Sequence, residues 1–184
     1  MNKDRSILIH DVASLTFLAP FSVLCIAETI FGYVVYPMFL THALTTYMSY
    51  DLVWIFLQPK IVHRYRSLIV LHHLVCLLAL FRPLMYPYEA FIVSRVGLVE
   101  IDTSLLTIRR LTPRNSSLYP AINKLYHTSN VLIRVGYESC MTLYLSYFYA
   151  YEDVYTKLYI LGCQYFINIF SCGICTLTYL KKNN

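Results

Sequence analysis

Apolar positions along the chain gather into six long runs, at 12–36, 43–58, 67–81, 90–108, 125–151 and 158–180. Charges and prolines collect between them. Most runs come near the roughly 20 residues that an α-helix needs to cross a bilayer core of about 30 Å. The third is short, and crosses by tilt, by local thinning or by extending past Arg82. Pro37, Pro59, Pro83, Pro87, Pro113 and Pro120 fall between runs, where residues that break helices belong. Pro20 alone is internal, and predicts a kink in the first helix. The pattern predicts an all-α, polytopic membrane protein, a single domain over 1–184 with six transmembrane helices.

Composition strengthens this reading. Hydrophobic residues make up 58% of the chain and charged ones 14%, which leaves too little polar surface for a soluble domain of this size. Charge adds an orientation. With the N-terminus in the cytosol, eleven of the fifteen lysines and arginines lie on the cytosolic side, and only Arg82 and Lys157 lie opposite. By the positive-inside rule both termini face the cytosol. The net charge of +5 then reads as topology plus attraction to anionic lipid, not as nucleic-acid binding.

The first run is too long for a cleaved signal peptide, and Asp11 interrupts its start. The six cysteines fall inside helices, so neither a disulfide framework nor a metal site is expected, and no cofactor. "CGIC", Cys172–Cys175, lacks a second pair of ligands and reads as small residues at a helix contact. The terminal "KKNN" places Lys181 and Lys182 four and three positions from the end, the form of a di-lysine retrieval signal. It predicts recognition by a coat complex and residence in the endoplasmic reticulum.

Polar groups inside the runs are costly unless they pair or line a cavity. In the second run Tyr47 and Asp51 are i,i+4 neighbours, so the phenol can donate to the carboxylate. In the third, His72 and His73 point about 100° apart, too far to chelate one metal as an i,i+4 pair does. The fourth run is the most polar. Glu100, Thr103, Thr107 and Arg110 form one helical stripe, and Arg95, Asp102 and Arg109 a second. Gly97, Leu98, Ile101, Leu105 and Ile108 occupy the remaining arc, which is predicted to meet lipid. In the fifth run the i,i+4 spacing of Arg134 and Glu138 predicts an intrahelical ion pair.

A membrane aspartate after a tyrosine, then a double histidine, then a polar fourth-helix motif ending in arginine resembles the TLC (TRAM/Lag/CLN) domain superfamily. Asp51, His72 and His73 match its second- and third-helix positions, and Glu100, Thr103 and Arg109 match its fourth-helix motif. Asp102 stands where small members carry serine, Thr107 where they carry asparagine, and Arg110 at an apolar or tryptophan position. The histidine-aspartate and serine-aspartate pairs of ceramide synthases are missing, so the chain looks closer to the small non-synthase members. The resemblance implies a six-helix barrel around a lipid-sized cavity, and a protein that binds, senses or moves membrane lipid. Two alternatives are an N-acyltransferase of the ceramide synthase type, using a long-chain acyl-CoA and a sphingoid base, and an endoplasmic-reticulum cargo receptor. Under the enzyme alternative His72, His73, Asp51 and Glu100 carry the chemistry. Tyr47, Asp102, Thr103 and Arg109 contact lipid or substrate, with Arg109 at the mouth for a phosphate. Asp51, His72, His73 and Glu100 are expected to converge on one cavity.

Overall fold

A computed structural model of the chain describes residues 5–32, 36–58 and 65–180, which are helical almost throughout and include no β-strand. Three elements are single helices in the first half: α1 (Arg5–Phe31), α2 (Pro37–Leu57) and α3 (Arg66–Met85). A fourth rod joins α4 (Phe91–Val96) to α5 (Glu100–Leu111) through a 3-10 turn over Gly97–Val99, the backbone staying right-handed helical throughout. A fifth joins α6 (Tyr119–Ser129) to α7 (Glu138–Phe148) through a π-helical stretch, Asn130–Tyr137. The last rod is α8 (Val154–Leu180). Among the described residues α1, α3 and α8 (as far as Leu177) are long and apolar enough to cross a membrane.

Burial is inverted relative to a soluble protein. His10, Asp11, Asp51, His73, Asp102 and Glu138 are buried, while Phe31, Leu57, Leu143 and Ile169 are exposed. On α1 the inward face carries His10, Ser14, Phe21, Cys25 and Glu28, and the outward face Leu8, Val12, Val23 and Ile30. Lipid rewards an apolar exterior and forces polar side chains to find partners inside. This distribution and the three long apolar helices make the chain an integral membrane protein.

Helix boundaries follow local chemistry. Gly32 ends α1 in the left-handed region (φ +62°), its N–H donating to the Glu28 carbonyl at 3.0 Å. Pro37 and Pro120 sit in the first turns of α2 and α6, where no N–H is needed. Asp153 caps α8, its Oδ1 accepting the N–H groups of Tyr155 (2.9 Å) and Thr156 (3.1 Å). Two boundaries differ from the expectation. Helix α3 runs four residues past 81, so Pro83 is inside it, and the third run gains length by extension past Arg82. Helix α1 begins at Arg5, so His10 and Asp11 belong to its interior. Pro20 lies within α1, which stays helical on both sides of it.

The rods pack in the order α2, α3, α8, fifth rod, fourth rod, α1, and α1 touches α2 again. Helix α4 also reaches α2 and α3, so Val93 joins Phe21, Leu40, Leu44, Met48 and Leu80 in the main apolar core. The fourth rod packs tightly on α1 at Gly97, where a Cβ would meet Cys25 Sγ at 2.8 Å and the Phe21 ring at 3.0 Å. The Gly97 end of the apolar arc on the fourth rod therefore packs on α1 and not on lipid. A missing side chain lets two helix backbones approach.

Candidate functional site

Inside the rods is a cavity of about 300 Å³ with walls from all six of them. Asp51, on α2, organises it. Its Oδ1 lies 2.6 Å from His10 Nε2 and its Oδ2 2.8 Å from His73 Nε2, so one carboxylate bridges α1 and α3. His73 Nδ1 donates to the Ile69 carbonyl one turn back, at 2.8 Å. His10 packs its edge on Trp54, with ring centroids 5.4 Å apart. Tyr47 is not a partner of Asp51, contrary to the i,i+4 expectation. Its ring stacks on Phe17, with centroids 4.8 Å apart. A histidine from another helix can approach the carboxylate head-on, whereas a phenol one turn away must bend along its own helix.

His72 takes a different direction, as 100° of helical rotation requires. It stacks on Phe170 of α8 at 4.1 Å, with Cys76 Sγ 3.6 Å from its Nε2. Glu100 lines the same cavity. The nitrogens of His10 and His73 aim at separate carboxylate oxygens and not at a common point, and among the described residues no cluster is arranged to hold a metal.

Asp102 is the second polar centre. It is 1% exposed and accepts from Ser129 Oγ (2.6 Å), Asn130 Nδ2 (3.0 Å) and Arg134 Nε (2.6 Å). Arg134 Nη2 also donates to Thr103 Oγ1 at 2.7 Å. The predicted Arg134–Glu138 ion pair is thus replaced by one between rods. Arg134 lies in the π-helical stretch, whose wider turns rotate it away from the i+4 position. Glu138 accepts instead from Gln164 Nε2 on α8 at 2.8 Å.

The two ends of the cavity differ. At one end Arg110 Nη2 lies 3.1 Å from Asp11 Oδ1. Arg109, expected at this mouth, does not line the cavity and lies over the Tyr126 ring at 4.9 Å. One residue of helix separates them, and Arg110 faces inward. At the other end Arg82 donates to both oxygens of Glu89 at 3.0 Å, and Tyr149 donates to Glu89 Oε2 at 2.6 Å. Burial raises the proton affinity of Glu89, but the guanidinium and the phenol outweigh it and hold the carboxyl below the usual glutamate range. A carboxyl so lowered stabilises the fold above its unfolded value of about 4.3, and that contribution is lost as pH falls through the folded value. Acidification from about pH 5 to about pH 3 should therefore cost wild type more of its unfolding temperature than Glu89→Gln. Scanning fluorimetry in detergent measures this, and parallel curves would show that Glu89 has no part in it.

Of the residues singled out in the sequence, Asp51, His72, His73 and Glu100 share the cavity wall with Tyr47, Asp102 and Thr103. Lys181 and Lys182 lie outside the described residues. Sequence reasoning missed His10, Arg134 as the partner of Asp102, and Gln164. The spacing of His10 and Ser14 on one face of an apolar helix was the available signal for the first. No family model, curated protein or solved structure matches the chain.

Proposed function

We propose that the chain is a six-crossing membrane protein of the TLC type that takes the apolar tail of a lipid into its interior. Polar groups of the cavity wall with bonding capacity left, such as Asn130 Oδ1, meet the headgroup, and both termini lie on the cytosolic face of the endoplasmic-reticulum membrane. The observation that carries this reading is the Asp51-centred cluster opening on a cavity whose other walls include Leu44, Ile92, Leu106 and Ile167. Polar side chains on one part of the wall and apolar ones on the rest are the division of labour an amphiphile needs. Binding is preferred to catalysis because both nitrogens of His73 and both oxygens of Asp51 are already committed. A base or nucleophile needs a ring nitrogen free to meet substrate. The acyl-transfer alternative rests on His72, whose nitrogens have, among the described residues, only the Cys76 thiol as a neighbour in hydrogen bonding.

Native mass spectrometry of the full-length protein decides between them, alongside transfer of labelled acyl-CoA to a long-chain base. We expect a co-purified lipid, its occupancy cut about tenfold (about 1.4 kcal/mol) in Leu106→Trp, which fills the chamber, and no acyl transfer. Transfer by wild type that is lost in His72→Ala would replace this reading with the enzymatic one.

A further inference from the structure

Hydrogen-bond chemistry counts the protons in the Asp51 cluster. A carbonyl oxygen only accepts, so the 2.8 Å contact with Ile69 requires a proton on His73 Nδ1. The contacts of Asp51 with His73 Nε2 (2.8 Å) and with His10 Nε2 (2.6 Å) each require one more. His73 and Asp51 together therefore hold one proton beyond a neutral imidazole and a carboxylate, and His10 carries its proton on Nε2. The three side chains sum to zero charge. None of these contacts requires a proton on His10 Nδ1, and without one that nitrogen keeps a lone pair. That atom is buried, has no hydrogen-bond partner among the described residues, and lies 3.8 Å from Asp11 Oδ1.

We infer that the His10–Asp51–His73 cluster is a proton-binding site that takes up a second proton on His10 Nδ1, delivered from the Arg110 end of the cavity by way of Asp11. A lone pair facing a carboxylate oxygen is repulsive. Adding a proton makes Nδ1 a cationic donor attracted to Asp11 Oδ1, 3.8 Å away, and closing that gap to about 2.8 Å completes a charge-assisted hydrogen bond. The proton comes from water at the mouth, where the Arg110 side chain is 37% exposed. The groups that set the affinity come from every neighbouring element. Asp51 of α2 bonds His10 directly, His73 of α3 acts on it through the other oxygen of Asp51, and Arg110 of α5 reaches it through Asp11. Glu100 and Asp102 of α5 line the cavity beyond, and Arg95 of α4 turns away toward Phe91 and Tyr144. In the loaded state His10 and Arg110 share the Asp11 carboxylate, so uptake is felt at the contact between α1 and α5 that borders the mouth. The inference stands whatever molecule fills the chamber.

The test is a titration of the full-length protein in micelles with ¹⁵N-labelled histidine, followed by NMR from about pH 10 to about pH 5. His10 should gain its second ring proton within this range while the proton shared by His73 and Asp51 stays in place. Asp11→Asn should weaken uptake at His10 about tenfold, one unit along the pH axis. His10→Gln still donates to Asp51 but takes no proton, and should remove one proton from the uptake measured in weakly buffered solution. A His10 ring that stays singly protonated down to about pH 5 overturns the inference from wild type alone. So does an Asp11→Asn protein that titrates like wild type.

Discussion

Replacing Asp51 with alanine should lower the unfolding temperature of the full-length protein in detergent by about 6–12 °C. Breaking a buried, charge-assisted cluster costs about 3 kcal/mol, and a chain of this length loses about 2–4 °C per kcal/mol. The loss is large because Asp51 is 6% exposed and serves two partners from two other helices. Its removal leaves the imidazoles of His10 and His73 facing each other without an acceptor. Asp51→Asn should lose less than half as much. Its amide can donate to a neutral His73 Nε2 while its carbonyl accepts from His10, so every contact survives with one proton fewer and without the pair of opposite charges. Scanning fluorimetry on both variants separates the outcomes. Equal losses would show that charge, and not hydrogen-bond count, holds α1, α2 and α3 together. A loss under about 2 °C for alanine would mean that the cluster does not join them at all.

The second large effect is expected at Arg134. Substitution by methionine keeps most of the side-chain volume but leaves the carboxylate of Asp102, 1% exposed, with only Ser129 and Asn130 as donors. Leaving one charge of a buried pair alone costs about 3–5 kcal/mol. Asp102→Asn combined with Arg134→Met removes both charges and should recover at least half of that loss. The pair is measured as a double-mutant cycle, which isolates the coupling between them. A single Arg134→Met protein as stable as wild type would show that two neutral donors suffice for Asp102. The π-helical stretch would then need another explanation, since its placement of Arg134 against the fourth rod is the visible consequence of its wider turns.

These two centres also show how the inverted burial of the chain works. The fourth rod is polar on two sides, and each finds protein. Glu100, Thr103, Thr107 and Arg110 face the cavity, while Asp102 meets the fifth rod and Arg109 lies on Tyr126. Such a helix is stable inside a membrane bundle because its neighbours replace the water that its side chains gave up.

Much of this was legible in the residues alone. The six rods lie close to the six apolar runs, since helix periodicity and the positions of proline are local properties of the chain. The polar character of the fourth rod and the inward placement of Asp51, His72, His73 and Glu100 follow from the cost of polar groups in lipid, which needs no knowledge of the fold. Partnership was not legible. Local spacing suggested Tyr47 for Asp51 and Glu138 for Arg134, yet the partners are His10, His73 and Asp102, 41, 22 and 32 positions away. An i,i+4 neighbour is always within reach, but its approach to the acceptor is constrained by the shared helix. A side chain from a facing helix can meet the acceptor in line, and a low-dielectric interior rewards that geometry. Which residues face one another is set by the rotation and register of one rod against another. Those are settled by contacts such as Gly97 on Cys25 and by the π-helical turns around Arg134, and they choose Arg110 over Arg109 for the mouth. Periodicity along one helix carries no information about its rotation against the next, so only the packed tertiary structure could decide it.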